Sequence, residues 1–215
     1  MGSTRLPGKV MKHIAGKPLL EHIVRRLIEL RHPATVVVAT SNLKRDTVIF
    51  DWCRQNDVEC FRGSEEDVLD RYLACAEQYG FDTIVRLTAD NPFTDIVELD
   101  RLLDLHLSSG NDYTHSFGLM PLGVGAEVFS LTALSRSHAE GHELHHREHV
   151  NEYIPEHPEL FRIGILDVPV AKRAADLRLT VDTEEDWQRA CSLADQASGH
   201  WLETEEAIGL CSRSV

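Results

Sequence analysis

The chain has 215 residues, 42% of them hydrophobic, and its 35 acidic and 22 basic side chains give a formal net charge of −13. That length suits one well-buried domain spanning 1–215. No apolar run approaches the roughly 18 residues of a spanning helix, and no extended basic face is visible for nucleic acid, so neither membrane insertion nor nucleic-acid binding is expected.

The first nine residues, MGSTRLPGK, gather Gly2, Ser3, Thr4, Arg5, Gly8 and Lys9 in one short loop. Small residues let backbone N–H groups approach a ligand closely. A guanidinium and an ammonium both suit phosphate oxygens. The Walker pattern is absent. Through residue 26 six cations face Glu21 alone, and screening over about 8 Å makes this local patch, not the global charge, what a small anion meets. A nucleotide is the expected ligand.

Further along, apolar and turn signals alternate. Residues 35–40 (TVVVAT) read as a buried strand, 43–55 as a helix and 58–61 as a strand. Helical spacing of Val68, Leu69, Tyr72, Leu73 and Ala76 predicts a helix over 66–79. A strand follows at 83–88 and a helix at 95–107, opened by the turn Asp90-Asn91-Pro92. Residues 110–125 read as a loop. Strands are expected at 126–129, 161–166 and 177–181, the last followed by a helix to residue 195. This alternation predicts an α/β sandwich on a mainly parallel sheet, with ligands at the carboxyl ends of the strands.

Asp90 and Asp182 each end a predicted strand. Two such carboxylates suit Mg²⁺; each could equally cap the next helix. Glu184, Glu185 and Asp186 read as first-turn acids favouring the helix dipole. His142, His145, His146 and His149 share one face of a predicted helix; with charged residues between them and no cysteine near, solvated or dimer-facing histidines are expected, not zinc ligands. Trp52, Trp187 and Trp201 are expected in the core. Five scattered cysteines without a C-x-x-C pair, and no apolar signal region, read as thiols in a reducing cytoplasm.

Six segments together carry a resemblance: MGSTRLPGKV (1–10), IAGKPLLEH (14–22), GSEEDVLDRY (63–72), RLTADNPFTD (86–95), REHVNEYI (147–154) and LRLTVDTEED (177–186). In this order they resemble cytidylyltransferases of the spore-coat polysaccharide (SpsF) type, relatives of the enzymes that make CMP-activated 3-deoxy-manno-octulosonate and CMP-sialic acid. The resemblance implies a three-layer α/β/α nucleotide-diphospho-sugar transferase-like fold and Mg²⁺-dependent transfer of CMP from CTP to a sugar or acidic sugar, releasing pyrophosphate, in surface polysaccharide or glycoconjugate synthesis. It implies that Arg5 and Lys9 hold the β- and γ-phosphates, that the Asp67–Arg71 stretch lies near the nucleoside, and that Asp90 and Asp182 ligate the metal. It also implies a sugar-side segment at Pro121, Gly123 and Glu127, and a homodimer through 112–150.

One departure stands out. The family's hydrophobic first strand, ending in Gln-Ala-Arg and central to the sheet, has no counterpart before the position numbered 1 here. The expectation is a natural protein that starts upstream, with an intact mass other than 24.2 kDa. Two further readings stay open: a metal-dependent glycosyltransferase, which would need an Asp-x-Asp where Asp90-Asn91-Pro92 stands, and a catalytically silent nucleotide-binding or assembly subunit.

Overall fold

A computed structural model describes residues 1–212. A short hairpin, β1 (His13–Ile14) and β2 (Lys17–Pro18), turns at Ala15 and Gly16, whose φ values of 46° and 79° both lie in the left-handed region that a two-residue hairpin needs. Helix α1 (Leu19–Arg26) follows. It buries Leu19, Leu20 and Ile23 on one face, while buried Arg26 donates to the Thr94 and Leu202 carbonyls at 3.0 and 3.1 Å.

Next come β3 (Val37–Ser41), α2 (Thr47–Gln55), β4 (Glu59–Gly63) and α3 (Val68–Tyr79). The start of α3 is capped by Asp67, which accepts from the Asp70 N–H at 2.8 Å, and Gly80 at φ 68° ends it. Strand β5 (Thr83–Arg86) leads through the Asp90 turn to α4 (Ile96–Ser109), capped by Asp95. Then follow β6 (Tyr113–His115), β7 (Glu127–Ser130), α5 (Leu131–Glu140), α6 (Leu144–Glu148), α7 (Tyr153–Glu156) and β8 (Ile163–Ile165). Helices α8 (Glu184–Asp195) and α9 (Thr204–Ser212) close the described chain.

The layers follow from the period-two alternation of a doubly covered strand. In β7, Val128 and Phe129 are both fully buried but join opposite cores. Val128 packs with Leu99, Leu102, Val181 and Leu193, and Phe129 with Leu69, Leu73, Leu134 and Ile154. This is the expected α/β/α sandwich, with a mixed rather than mainly parallel sheet: β3–β4 and β6–β8 are parallel, whereas β7 runs against both β5 and β6.

Two sequence expectations need correction. Residues 110–125 are not all loop, because Tyr113–His115 forms β6 between β7 and β8. Residues 177–181 do not form a strand; they make one parallel bridge, Leu122 to Arg178. Beyond that bridge Val181 donates to the Asp90 carbonyl at 2.9 Å, so the segment is held by a loop instead of a ladder.

The sheet layer is split. β3 pairs with β4, and β5 with β7, but among the described residues β3 and β5 share no ladder. Between them lies a cavity of about 770 Å³, walled by the consecutive residues 32–41 on one side and 80–89 on the other. Leu20 and Ile23 of α1, Tyr72 and Ala76 of α3, and Leu99 and Leu103 of α4 also line it. The space is thus bounded by strand edges in the sheet layer and by apolar helix faces.

Candidate active site

The first candidate cluster forms where three distant segments meet. Asp90 lies four residues beyond β5, and Asp182 lies just before α8. The hydrogen bond from Val181 N–H to the Asp90 carbonyl sets the two acids side by side. Lys9 enters from a 3₁₀ turn that begins after Gly8, whose φ of 72° reverses the chain there. Its Nζ donates to Asp90 Oδ2 at 2.8 Å and to Asp182 Oδ1 at 2.7 Å. The guanidinium of Arg5 stands 3.3 Å from the same Asp182 oxygen, and Arg178 donates to the other.

Burial opposes ionisation of Asp182, yet the hydrogen bonds and charges of Lys9, Arg178 and Arg5 hold its pKa below the usual carboxylate range. Asp186, behind it, is driven down to about 2: burial opposes this, but the Asp182 and Thr183 N–H groups and Arg178 outweigh it. Asp186 also completes a capping box with Thr183 at the start of α8. Thus Asp186 fills the helix-capping role, whereas Asp182 faces the cations.

The residues present fit a divalent cation. Oxygens of Asp90 and Asp182 already converge on one cationic nitrogen, and hard carboxylate oxygens are what Mg²⁺ takes from a protein.

A cavity of about 460 Å³ runs from these acids to the sugar-side segment, lined by Ser116, Pro121, Gly123, Glu127 and Thr180 among others. Gly123 has φ 101°, and a Cβ there would meet Thr180 N at 2.6 Å, so only glycine lets the two loops close up. Glu127 is 1% exposed. It pairs with Arg86 directly across the β5–β7 ladder and accepts from the Tyr113 hydroxyl at 2.6 Å. Asn151 stands 3.4 Å beyond, on the same hydroxyl.

The remaining predicted residues lie apart from that cavity. Gly2 and Arg71 line the larger space between β3 and β5, which Arg86, Leu87 and Thr88 join to the smaller one. Arg71 donates to the Ser64 carbonyl, but its buried Nε has no hydrogen-bond partner, and burial lowers its pKa. Asp67 is spent on the α3 cap and on Arg147, 3.4 Å away. Ser3 Oγ accepts from Leu6 N–H at 3.2 Å, while Thr4 is exposed and lines neither cavity.

The histidines do not form one helical face, because α6 covers only Leu144–Glu148 and leaves His142 and His149 outside. His145 and His146 both reach Glu156, at 2.8 and 2.7 Å, and tie α6 to α7. His146 Nδ1 accepts from Glu143 N–H, so its Nε2 holds the proton and donates to Glu156. Trp52 and Trp201 are buried as expected, whereas Trp187 is half-buried with Lys12 lying 3.9 Å over its ring.

Sequence reasoning missed Arg86, Tyr113, Asn151 and Arg178. Arg86, Asn151 and Arg178 sit inside segments that carry the resemblance, and a lone arginine in the apolar strand TIVRLT was a readable signal.

A family model described as "Cytidylyltransferase" matches residues 1–211. The chain belongs to the cytidylyltransferase family. It is 38% identical over 202 residues to the spore coat polysaccharide biosynthesis protein SpsF of Bacillus subtilis, covering 92% of this chain and 84% of that one. A 3-deoxy-manno-octulosonate cytidylyltransferase of Geobacter sulfurreducens is 31% identical over 101 residues, 47% of this chain and 40% of that one. Among solved structures, a cytidylyltransferase from Leptospira borgpetersenii superposes with a TM-score of 0.92 at 29% identity, covering 100% of this chain and 91% of that one. CMP:2-keto-3-deoxy-manno-octonic acid synthetase, solved with CTP, shares the fold at a TM-score of 0.70 and 16% identity, over 91% of this chain and 95% of that one. The family's nucleotide-diphospho-sugar transferase-like architecture is thus the frame in which Lys9, Asp90 and Asp182 meet.

Proposed function

We propose that this protein transfers CMP from CTP to a sugar hydroxyl and releases pyrophosphate, as a cytoplasmic step in polysaccharide or glycoconjugate synthesis. The observation that carries the reading is the convergence of Asp90 and Asp182 on Lys9 at the mouth of the 460 Å³ cavity. Family membership supplies the class of reaction.

Asp90 and Asp182 would hold Mg²⁺, which when bound supplies positive charge beside the reacting phosphate. Lys9 and Arg5, both within reach of Asp182, would turn to the β- and γ-phosphates and stabilise the leaving pyrophosphate. Arg71, with its unpartnered buried Nε, would bind on the nucleoside side, next to Gly2. The loop at Pro121 and Gly123 would orient the acceptor hydroxyl for in-line attack. Dimerisation through 112–150 belongs to the same proposal; exposed Phe117, Leu119 and Leu144 fit such an interface.

Thermal melting with each of the four nucleoside triphosphates, with and without Mg²⁺, tests this. A ligand at 100 times its Kd adds about 2.7 kcal/mol, or roughly 5–10 °C at this chain length. The expected result is a Mg²⁺-dependent shift with CTP that exceeds the others; equal or absent shifts overturn the reading.

A further inference from the structure

We infer that Arg178 is a positioning residue for the metal–nucleotide site: it clamps one oxygen of Asp182 and so keeps the other turned toward Lys9 and Asp90. This rests on the CMP-transfer reading above and adds to it the residue that gives Asp182 its direction.

The backbone comes first. Arg178 stands opposite Leu122 in a parallel bridge, and the residues on either side of it fasten that bridge. Leu122 N–H donates to the Leu177 carbonyl and Leu179 N–H to the Leu122 carbonyl, both at 2.8 Å. The base of the arginine is therefore fixed against the sugar-side loop. Its guanidinium then spans two acids: Nη2 donates to Asp182 Oδ2, and Nε donates to Asp186 Oδ1 at 3.4 Å. Asp186 in turn accepts the Asp182 N–H through Oδ2 at 3.0 Å. Thus one Arg178–Asp186 pair grips Asp182 by its backbone and by one carboxylate oxygen. A planar fork fixes direction as well as supplying charge. The remaining oxygen, Oδ1, is the one that meets Lys9 at 2.7 Å and Arg5 at 3.3 Å.

Arg178 acts through Asp182. It lines neither cavity, whereas Thr180 and Asp182 on its own segment line the smaller one. Nor does the start of α8 depend on it: Asp186 keeps the Thr183 N–H at 3.0 Å and Arg189 at 2.5 Å, and the capping box does not include Arg178. Removing Arg178 has two opposed effects on a divalent cation at Asp182. Loss of a neighbouring positive charge favours the cation, while loss of the clamp lets the carboxylate turn Oδ1 away. The arginine is 37% exposed, so solvent screens the charge effect. Partners that orient a metal ligand typically carry about 10–100-fold in metal affinity. Orientation therefore wins, and the sign of the change separates the two effects.

The test is calorimetric titration of CTP in chelator and at millimolar free Mg²⁺; the ratio of the two affinities is the Mg²⁺ gain. Arg178→Met removes the clamp and should cut that gain at least fivefold, on the scale of a lost orienting partner, with affinity in chelator within about twofold of wild type. Arg178→Lys keeps one charge that can meet Asp182 Oδ2 but cannot span both acids. Its gain should lie between those of wild type and Arg178→Met; were Arg178 only a neutralising charge, Arg178→Met would show the largest gain of the three. The lysine variant, compared with wild type, reads the proposal if Arg178→Met fails to fold. Arg189→Gln takes the other arginine from Asp186 without touching Asp182 and should leave the gain within about twofold of wild type. A gain in Arg178→Met equal to or above that of wild type overturns the proposal, as does an equal loss in Arg189→Gln. Wild-type protein that binds no CTP, or shows no Mg²⁺ gain, refutes the metal-dependent CMP-transfer reading, and the role of Arg178 falls with it. A wild-type gain that both Arg178 variants retain refutes the role of Arg178 alone.

Discussion

Lys9 and Asp182 are 173 positions apart, yet the lysine Nζ lies 2.7 Å from the aspartate Oδ1. With Asp90 on its other side, the same ammonium holds together the two acids that the fold places at one sheet end. Removing it as Lys9→Ala should leave two largely buried carboxylates facing each other. We expect a loss of about 1–3 kcal/mol in the presence of a chelator, part of it recovered by millimolar Mg²⁺. Thermal melts of the variant with and without Mg²⁺ check this; a variant that melts like wild type in chelator would dissociate Lys9 from the cluster.

Arg5 differs in kind. Its side chain is 63% exposed, so Arg5→Ala should change stability by no more than about 0.5 kcal/mol. Its cost should fall on the reaction, roughly 2.7–4 kcal/mol or 10²–10³ in rate, as for loss of one preorganised donor. Pyrophosphate release within threefold of wild type would remove Arg5 from the mechanism.

Asp186 sets an acid limit on stability. Its folded pKa of about 2 lies below the unfolded value of about 3.9, so its stabilisation is complete above about pH 5 and is lost as pH falls through about 2. The contribution is on the order of 2 kcal/mol. Asp186→Asn should flatten that part of the stability curve, which urea melts at pH 2, 3, 4 and 5 would display. An unchanged slope would mean that Asp186 is not held by its neighbours in solution.

Gly123→Ala should destabilise by about 1–3 kcal/mol from the backbone alone, with the added contact to Thr180 on top. Urea titration measures it. A neutral substitution would mean that the 121–125 loop and the 177–182 segment are not in close contact.

Much of this was legible from local signals. The spacing of Leu69, Leu73 and Ala76 places α3, and Asp95 with Gly110 brackets α4. The Asp90 and Asp182 pair could be read because each ends an apolar run. What stayed hidden depends on register. Arg86 and Glu127 are 41 positions apart, and only the antiparallel pairing of β5 with β7 makes them partners. Strand β6 has three residues, too few for an alternation to show. Residues 177–181 carry a strand pattern, but their backbone is taken up by Leu122 and the Asp90 turn, so no ladder forms. Likewise the capping function of Asp186 and the cation-facing position of Asp182 look alike in sequence and separate only in space.

Calorimetric titration of CTP, with and without Mg²⁺, into the wild-type protein and into Asp182→Asn decides whether the Lys9–Asp90–Asp182 cluster is a nucleotide–metal site. We predict Mg²⁺-dependent binding by wild type and at least a tenfold weakening of it in the variant, with Mg²⁺-free binding little changed. Equal CTP affinity in both proteins, with no response to Mg²⁺, would contradict the account.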